Sequence, residues 1–464
     1  EEPPFIDATG TLAGALLGDV RHDPFQSGAD LATPAHERVE PGAVHRANKG
    51  VLYIDEIRML RMEEQQALLV AMQEKALSIS GRSERSSGAL TKSEPVPTDF
   101  ILIAAGNLDS IQNMHPALRS RIRGYGYEVY VNTDMPDTDK NRRRLVRFVS
   151  QEVVNERKKT SGKPIPHFDI ESIGLILKEA QRRSGRRGRL SLRLRELGGL
   201  VRIAGDLAVE ENADLTTASH VIRARAIAKP LEQQVADRYL ERQADYSMIV
   251  NKGHRIGRVN GLAVLGADSG LSDYSGVVLP VEAMVTAAHG RSGQVIATGG
   301  LSDLAKESVT NISAVVKKLT GNDIKDFDIH VQFPGTHNVD GDSASITMAT
   351  AIISAFEGVP IEQNLAMTGS LSIRGEVLPI GGVSAKIEAA AKSGIETIII
   401  PRSNMQDVLI DEKYESMVTV IPVDSLDEVL KHALVGSEEK VSLVERLSLV
   451  IDTISNSGDT QPSA

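Results

Sequence analysis

The sequence predicts a multidomain α/β protein, and three observations support that fold class. The chain has 464 residues, about three times the usual length of one domain, so more than one core is expected. Val- and Ile-rich runs alternate with amphipathic segments in the first and last thirds, which is typical of α/β domains. The middle is rich in Arg, Glu, Leu and Ala at helical spacing. The predicted divisions are an α/β subdomain (1–138), a helical subdomain with a linker (139–243), a second α/β domain (244–437), and a C-terminal helix with a polar tail (438–464).

The composition excludes several classes of protein and of active site. Hydrophobic residues make up 41% and charged residues 25% of the chain, which excludes a wholly disordered or fibrous protein. The sequence has no cysteine, which excludes disulfides, thiolate metal sites and cysteine nucleophiles, so a nucleophile must be Ser, Thr, Lys or a carboxylate. No run approaches 18 consecutive apolar residues, so no membrane span is predicted within the chain.

The charge balance does not favour a nucleic-acid-binding protein. The chain has 52 Lys and Arg against 62 Asp and Glu, a net charge of -10, so no global basic field would attract phosphates. The Arg-rich run at 182–195 keeps nucleic-acid binding open as an alternative, but aromatic partners for base stacking are missing. Subunit or nucleotide contacts are the preferred interpretation of this run, and DNA is not an expected partner.

Two acids follow the first clear strand of the chain. The run GVLYIDEI, which starts at Gly50, contains Asp55 and Glu56 at its end, and an amphipathic helix is predicted after it at 61–75. Two carboxylates at a strand end suit phosphoryl chemistry, because one helps to hold Mg²⁺ and the other orients the attacking water. An acidic strand end with a purely structural or solvated role is the alternative.

The next strand favours a catalytic interpretation of these acids. The run FILIAAGN is predicted to be a buried strand ending at Asn107, whose amide is expected near Glu56 and the γ-phosphate. An arginine cluster follows in HPALRSRIRG, formed by Arg119, Arg121 and Arg123. An acid pair, a polar strand end and an arginine cluster, in that order, predict an oligomeric ATPase whose arginine reaches the neighbouring subunit's nucleotide.

The sequence lacks the glycine-rich loop that would cradle the phosphates of ATP. A search for GxxxxGK[ST] finds no match, since Gly162 and Lys163 are followed by Pro164. Without such a loop the chain is expected to bind ATP poorly by itself. The loop would precede Asp55 and the chain begins abruptly at Glu1, so we expect a fragment of a longer protein rather than a degenerate ATPase.

A serine and a lysine in the last third form another candidate site. Ser343 lies in DGDSAS before a predicted helix, where backbone N–H groups would stabilise an oxyanion; the alternative is a helix-capping serine. Lys386 follows GGVSA near the start of another helix, where the helix dipole and burial would lower its pKa; the alternative is a solvated lysine. A neutral amine can accept a serine proton, and Thr368 in MTGSLS is expected to hold the lysine near the serine.

At these residues the sequence resembles the Lon family of ATP-dependent serine proteases, in particular the membrane-anchored B-type Lon proteases of archaea. The resemblance covers nearly the whole chain and includes TPAHERVEPGAVHRANKGVLYIDEI, HPALRSRIRGYG, LRLRELGGLVRIAGDLA, VDGDSAS and MTGSLSIRGEVLPIGG. It implies that Ser343 is the nucleophile and Lys386 its general base, at a spacing typical of the family. Asp342, next to the serine, either orders the resting site or caps the helix. Asp340 is a departure, because Glu is frequent there.

The resemblance also implies roles for the residues after the first strand. Asp55 and Glu56 would be the Walker B acids, with Asp55 binding Mg²⁺ through the nucleotide, and Asn107 would be the sensor-1 residue. Arg58 departs from the family pattern, in which Asn is usual after the motif DEI. Neither this departure nor the one near the serine removes a group that the chemistry needs.

Three further positions follow from the resemblance. Arg121 is preferred over Arg123 as the arginine finger, and Arg193 is preferred over Arg195 as the sensor-2 arginine. Phe25, in RHDPFQSG, is either the substrate-gripping aromatic of a pore loop or an ordinary packing residue.

The implied fold is a partial AAA+ α/β module, a helical AAA+ subdomain and a C-terminal α/β Lon-type protease domain. The full-length parent would use ATP and Mg²⁺, form a ring, expected to be a hexamer, and unfold and degrade misfolded proteins in an enclosed chamber. Its membrane-spanning insertion would lie between the P-loop and the Walker B strand. A chain that starts after this insertion would then have neither the P-loop nor the membrane-spanning helices. The parent would lie at the cytoplasmic face of the membrane, and the fragment itself would be soluble. The alternatives are a non-proteolytic AAA+ remodelling ATPase with a C-terminal partner-binding domain, an ATP-independent peptidase and a nucleic-acid-binding regulator.

Overall fold

The computed structural model describes residues 2–20, 35–81, 92–108, 113–159, 163–246, 248–265, 275–288, 295–298, 327–334, 342–436 and 438–456. It divides into two compact units, Glu1–Val131 (unit 1) and Asn132–Ala464 (unit 2). Both units combine helices with strands, so the predicted mixed α/β class is confirmed.

Unit 1 is built on a parallel sheet of three strands in the order β1-β4-β7. A short hairpin base, β5 with β6, and a second antiparallel pair, β2 with β3, flank it. The strands are β1 (Phe5–Asp7), β2 (Asp19–Val20), β3 (Val39–Glu40), β4 (Val51–Ile54), β5 (Ala76–Leu77), β6 (Val96–Pro97) and β7 (Ile101–Ala104). The helices are α1 (Ala13–Leu17), α2 (Ala43–Arg46), α3 (Met62–Glu74) and α4 (Pro116–Tyr125), with 3-10 turns at Ala35–Arg38 and Ile57–Met59.

Helix α3 confirms the amphipathic helix predicted at 61–75, and local chemistry sets both of its ends. The Arg61 backbone N–H donates to Glu64 Oε2 at 2.8 Å, which satisfies a free donor at the N-terminus. Lys75 has a left-handed φ of 53° and ends the helix. Leu68 is buried on the inner face of the helix in the same hydrophobic core as Leu52 of β4.

The prediction of a buried strand ending at Asn107 is wrong for one face of β7, because Ile101 is 67% and Ile103 46% exposed. The opposite side chains of the sheet pack on α1 and α3, and a parallel strand is buried only where both faces are covered. The cross-strand register places the exposed side chains of β7 beside those of β4 and β1. We call this surface the open face; it consists of Phe5, Val51, Tyr53, Ile101 and Ile103.

The first part of unit 2 is helical, as predicted. Four helices share a hydrophobic core that includes Val149, Ile176, Leu200 and Val221. They are α5 (Asp139–Lys159), α6 (Ile170–Ser184), α7 (Leu194–Glu210) and α8 (Ala218–Ile227), and we call them the helical subdomain. Short strand pairs join them, β8 (Asp134–Pro136) with β10 (Arg189–Ser191) and β9 (His167–Phe168) with β11 (Leu215–Thr216). Helix α9 (Leu231–Asp245) then leads into the second part of the unit.

The second part of unit 2 contains a mixed sheet of seven strands in the order β15-β16-β14-β13-β18-β21-β22. They are β13 (Arg258–Leu265), β14 (Ser275–Ala287), β15 (Val295–Thr298), β16 (Phe327–Gln332), β18 (Leu365–Met367), β21 (Thr397–Pro401) and β22 (Thr419–Val423). Shorter strands lie outside this sheet: β12 (His254–Arg255), β17 (Ile361–Glu362), β19 (Ser370–Leu371) and β20 (Val377–Leu378). The helices are α10 (Ser345–Glu357), α11 (Val383–Lys392), α12 (Glu412–Glu415), α13 (Leu426–Ala433) and α14 (Glu438–Asn456), with a 3-10 turn at Arg402–Asp407.

Both faces of this sheet are covered by helices. Ile346 of α10, Leu430 of α13 and Leu447 of α14 share a core with Val259 of β13 on one face. Helices α9 and α11 share a second core with the sheet residue Leu262. The two cores place α10 and α11 on opposite sides of the same sheet, which decides how the candidate site is assembled.

In the part of the chain that the structure describes, no helix is both long and apolar enough to cross a membrane. The sequence predicts a C-terminal helix with a polar tail over 438–464. Helix α14 extends to Asn456, and 457–464 lie outside the described residues.

Candidate active site

The serine–lysine site, which we call the first site, lies at the carboxyl end of β18, where segments from both faces of the sheet meet. Thr368 and Gly369 follow β18, and both bond to the backbone oxygen of Ser343: the Gly369 N–H donates at 2.9 Å and the Thr368 hydroxyl at 3.1 Å. Ser343 itself is half-buried and precedes α10. The N-cap residue of that helix is Ala344, so the alternative of Ser343 as the helix cap is wrong. Strand carboxyl ends are the usual place for binding sites in α/β sheets.

Lys386 reaches the same place from the other face of the sheet. Helix α11 begins after Gly382, whose left-handed φ of 67° turns the chain into the helix. The lysine is only 1% exposed, so the alternative of a solvated helix lysine is wrong. Its Nζ donates to Thr368 Oγ1 at 3.1 Å, which is the hydrogen bond expected from the sequence. The Thr368 hydroxyl therefore joins the lysine side chain to the backbone of Ser343.

Burial controls the protonation of Lys386. Loss of hydration lowers the pKa of Lys386 from 10.5 to about 7, while the Asp342 carboxylate opposes the shift by favouring the charged form. About half of the amine is therefore neutral at pH 7. A neutral amine of this kind is chemically able to accept a proton from a serine hydroxyl.

Asp342 ties the start of α10 to the segment that follows β18. The Ser370 hydroxyl donates to Asp342 Oδ2 at 2.6 Å, and the Asp342 backbone oxygen accepts from the Ser345 N–H at 3.0 Å. The Asp342 backbone oxygen thus accepts a hydrogen bond from the first residue of α10. The Asp342 carboxylate is bonded to Ser370 and acts electrostatically on Lys386. Asp340, the departure noted in the sequence, lies outside the described residues.

Gly276 on β14 is a part of this site that the sequence analysis missed. A Cβ at this position would lie 2.0 Å from the Ala385 carbonyl oxygen and 2.9 Å from the Lys386 backbone nitrogen. Strand β14 and helix α11 therefore touch backbone to backbone beside the lysine, and a side chain would push the helix off the sheet. A glycine in a β-rich run is a signal for such a close approach, but the pattern does not identify the distant partner.

The acids of the second candidate site lie at the carboxyl edge of the unit 1 sheet. Asp55 directly follows β4, and Asn107 follows the parallel neighbour β7. The Ala105 N–H donates to the Ile54 oxygen at 2.9 Å, and the Ile57 N–H donates to the Ala105 oxygen at 3.1 Å. These two bonds keep the strand ends together, so the acids and the amide emerge at the same edge.

Glu56 has an unusual backbone and an ionic partner. Its φ of 52° is left-handed, which is uncommon for a residue other than glycine and marks local strain. The Glu56 N–H donates to Asp55 Oδ1 at 2.9 Å, and Glu56 Oε2 lies 3.2 Å from Arg58 Nε. Arg58, which the sequence analysis noted only as a departure from the family pattern, therefore pairs with the second acid.

The predicted arginines lie in different units. Arg121 is on α4, with its guanidinium 4.4 Å from the centre of the Tyr125 ring. Arg123 Nε lies 3.9 Å from Glu128 Oε2. Arg193 is the N-cap residue of α7 in unit 2. Phe25 lies outside the described residues.

The residues of the second site fit a nucleotide only in part. Asp55 and Glu56 supply the oxygen ligands that Mg²⁺ prefers. Within the described ranges, however, no group of three or more His, Asp or Glu is placed to hold a metal ion. The sequence also supplies no glycine-rich loop for the phosphates of a nucleotide.

Comparison with protein-family profiles matches three parts of the chain. Residues 232–436, which include the serine, threonine and lysine of the first site, match the C-terminal proteolytic domain of Lon protease (S16). Residues 167–229 match the AAA+ ATPase LID domain of archaeal LonB. Residues 26–118, which include the two acids of the second site, match the sigma-54 interaction domain.

Curated relatives extend this similarity over nearly the whole chain. An archaeal Lon protease of Thermoplasma volcanium is 58% identical over 454 residues, which cover 97% of this chain and 68% of the relative. The chain belongs to the archaeal Lon protease family. Archaeal Lon proteases of Archaeoglobus fulgidus and Thermococcus kodakarensis are 58% and 57% identical, covering 96% of this chain and 70% and 69% of their own lengths. The resemblance to archaeal Lon proteases is therefore confirmed, and this Lon chain is a serine protease with an AAA+ LID domain.

Proposed function

We propose that this chain hydrolyses peptide bonds with Ser343 as nucleophile and Lys386 as general base, supported by Thr368 and Asp342. The observation that carries the proposal is a buried lysine whose hydrogen-bond partner, Thr368, is also bonded to the backbone of Ser343. Burial of the amine lowers the pKa of Lys386 to about 7, so the amine loses its charge near neutral pH. Substrates are unfolded or misfolded proteins.

In this mechanism Ser343 Oγ attacks the carbonyl carbon of the peptide as its proton passes to the neutral amine of Lys386. Backbone N–H groups near Ser343 hold the oxyanion of the tetrahedral intermediate. The Lys386 ammonium then gives its proton to the leaving amine, and an ester on Ser343 remains. Water hydrolyses that ester with Lys386 again as the base, which restores the hydroxyl and the neutral amine.

Ser343→Ala and Lys386→Met test this assignment by cleavage of casein and of a fluorogenic peptide. Both variants should lose cleavage by at least about a thousandfold, because a nucleophile or its base is gone. Ser416→Ala and Lys431→Met change exposed residues of the same unit and should keep normal activity. Cleavage that survives Ser343→Ala would exclude this dyad. A wild-type chain that cleaves neither casein nor the peptide would favour a non-proteolytic remodelling ATPase.

We further propose that unit 1 belongs to an ATPase that drives unfolding in the full-length parent. Asp55 would bind Mg²⁺ through the nucleotide, Glu56 would orient the attacking water and Asn107 would act as sensor 1. Arg121 is proposed as the finger that reaches the neighbouring subunit and Arg193 as the sensor-2 arginine. Hydrolysis of the bound nucleotide supplies the energy for unfolding.

The open face supports the proposal that this chain is a fragment of a longer Lon protease. Apolar side chains on a parallel sheet are normally covered by helices, and the open face leaves Ile101 and Ile103 exposed. We propose that the covering helix and the phosphate loop belong to an upstream segment, which also anchors the parent to the cytoplasmic face of the membrane. We also propose a hexameric ring and the domain divisions 1–138, 139–243, 244–437 and 438–464.

Adding the upstream region of the gene tests these proposals together. The extended protein should hydrolyse ATP in the presence of Mg²⁺, sediment with membranes and degrade folded substrates only with ATP. In the extended protein Glu56→Gln should abolish ATP hydrolysis and keep cleavage of short peptides. Equal degradation of folded proteins with and without ATP would favour the ATP-independent peptidase instead.

A further inference from the structure

Helix α11 presents Lys386 on one face and its anchoring residues on the other. Ser384, Lys386 and Glu388 are spaced two residues apart, and two residues turn an α-helix by about 200°. Ser384 and Glu388 therefore share a face that points away from the lysine. A displacement of the anchored face moves Lys386 as well, because the helix behaves as a rigid body between them.

The segment 406–412 holds Ser384 and Glu388 on the anchored face of α11. The Ser384 hydroxyl donates to the Asp407 carbonyl oxygen at 2.9 Å and accepts from the Leu409 N–H at 2.9 Å. The Asp411 N–H donates to Glu388 Oε1 at 3.2 Å. Backbone groups of this segment thus hold the first part of α11 through Ser384 and Glu388.

The same segment is bonded to the helical subdomain through its alternate backbone groups. The Arg187 N–H donates to the Gln406 oxygen at 3.0 Å, and Arg187 Nε donates to the Val408 oxygen at 3.1 Å. From α8, Arg225 Nη2 donates to Asp411 Oδ2 at 3.1 Å. The 406–412 segment therefore lies between α11 and the helical subdomain, with hydrogen bonds to both.

The arginine that binds Asp411 is itself fixed in the helical subdomain. Glu179 of α6 is 2% exposed, and its carboxylate lies 3.3 Å from Arg225 Nε, 3.0 Å from Arg182 Nε and 2.8 Å from Arg183 Nε. These cations hold the pKa of Glu179 at about 2, so the cluster stays charged. Arg225 is therefore held by Glu179 within the helical subdomain while it donates to Asp411.

A second bridge and a cavity complete the arrangement. Asp237 of α9 accepts from Lys392 Nζ of α11 at 2.8 Å and from Lys229 Nζ at 2.7 Å. Between this bridge and the 406–412 segment lies a cavity of about 1190 Å³, whose lining includes Arg182 and Glu388. The contacts that can move α11 when the helical subdomain moves are therefore concentrated in these two places.

We propose that the 406–412 segment transmits the docking of the helical subdomain to Lys386, with Ser384 and Glu388 as positioning residues of the peptidase. When the subdomain is docked, the segment holds α11 so that Lys386 meets Thr368. When the Arg187 and Arg225 contacts are lost, α11 relaxes and the lysine gains access to water. The proposal rests on the Ser343–Lys386 dyad and adds a control of it by the ATPase side of the chain.

The charged groups around α11 define what a pH profile would report. The carboxylate that acts on Lys386 is Asp342, and it favours the charged amine. On the far face, burial raises the pKa of Glu388, and Arg182 and Lys392 act in the opposite direction. A shift of the acid limb of activity therefore reports a change in the hydration of Lys386 as long as Asp342 is kept.

Two substitutions in the full chain separate docking from folding. Arg187→Met removes the side-chain bond to Val408 and keeps the backbone bond to Gln406. Asp411→Ala removes the partner of Arg225 and keeps the N–H that binds Glu388. For hydrolysis of a short fluorogenic peptide, each should lower kcat about five- to tenfold, because small displacements of a catalytic base are costly. KM should change by less than about twofold, and the acid limb of kcat should move to higher pH as the lysine is rehydrated.

Matched controls identify a merely structural effect. Asp424→Asn weakens the ion pair with Arg402 outside the 406–412 segment, where the two side chains are 61% and 51% exposed, and should leave kcat and the acid limb unchanged. Glu388→Gln keeps an acceptor for the Asp411 N–H and should retain activity, whereas Glu388→Leu should behave like Asp411→Ala. Thermal melting of each variant shows which are folded, and Arg187→Met decides the question if Asp411→Ala does not fold.

Wild-type kcat and an unmoved acid limb in Arg187→Met would overturn the proposal, and so would an equal loss in Asp424→Asn. Ser343→Ala is assayed in parallel. If it is inactive while the Arg187 variant is normal, the dyad stands and the coupling is wrong. If Ser343→Ala is active, the dyad itself is wrong.

Discussion

Replacement of Asp342 by Asn should shift the pH dependence of peptide hydrolysis to lower pH. The Asp342 carboxylate favours the charged form of Lys386, so removing its charge should lower the lysine pKa below about 7. Asn keeps an oxygen that accepts the hydrogen bond from Ser370, so the local structure is retained. The substitution therefore changes one electrostatic contribution at the base.

The size of the effect follows from the fraction of neutral Lys386. With a pKa of about 7, about 9% of the amine is neutral at pH 6 and nearly all of it at pH 8.5. A decrease of about half a pKa unit, or about 0.7 kcal/mol, raises the neutral fraction at pH 6 to about 24%. The variant should therefore be about threefold faster than the wild type at pH 6 and equal to it at pH 8.5.

The assay is kcat/KM for a fluorogenic peptide between pH 5.5 and 9, which reports ionisations of the free enzyme. Ser370→Ala is the control, because it removes the hydrogen bond to Asp342 and leaves the charge, so its acid limb should not move. An acid limb that stays in place in Asp342→Asn, or moves to higher pH, would refute the electrostatic account of Lys386.

Three further predictions concern the same site. Thr368→Val should lower kcat about tenfold or more because Lys386 loses its hydrogen-bond partner, whereas Thr368→Ser should keep most of the activity. A peptidase assay compares the two variants, and equal activity would contradict the role of Thr368 in positioning Lys386. Gly276→Ala should reduce peptide cleavage and the melting temperature, since a Cβ would meet α11 at 2.0 Å, while Gly174→Ala, with open space around it in α6, should melt at the same temperature or higher. Lys386→Met should melt at a higher temperature than the wild type, and the difference should be largest below pH 7 and vanish above pH 10.5. The sign follows from the lowered pKa: between about 7 and 10.5 the unfolded state binds more protons, so the wild type gains stability as pH rises, by up to about 5 kcal/mol. Thermal melts at pH 6, 8 and 11 measure this difference, and a constant gap would contradict it.

Features fixed by local chemistry were predictable from the sequence. The helix at 61–75 is bounded by the bond from Arg61 to Glu64 at one end and by Lys75 at the other, and neither depends on distant residues. Ser343 and Lys386 were predicted as a pair because short motifs surround each of them. The family resemblance that these motifs carry is confirmed by the comparisons with known Lon proteases.

Features that depend on distant packing were not predictable in the same way. An apolar run predicts a strand but not whether both of its faces are covered, so the exposure of Ile101 and Ile103 was missed. Gly276 and Ser370 lie in ordinary-looking runs, and their importance appears only when β14 meets α11 and when β19 meets Asp342. The burial of Lys386 is likewise a property of the assembled sheet.

The open face of unit 1 also bears on how the oligomeric state should be measured. Side chains such as Phe5, Ile101 and Ile103 present adjacent apolar surface to water, and such surface promotes self-association that has no symmetry and no fixed stoichiometry. Light scattering of this chain would then report particle sizes that grow with protein concentration and with sulfate. A ring would instead keep one mass over a wide range of dilution. Replacing Ile101 by Lys should suppress the growth of particle size with concentration and leave the mass of a ring unchanged. This variant is therefore suitable for counting subunits.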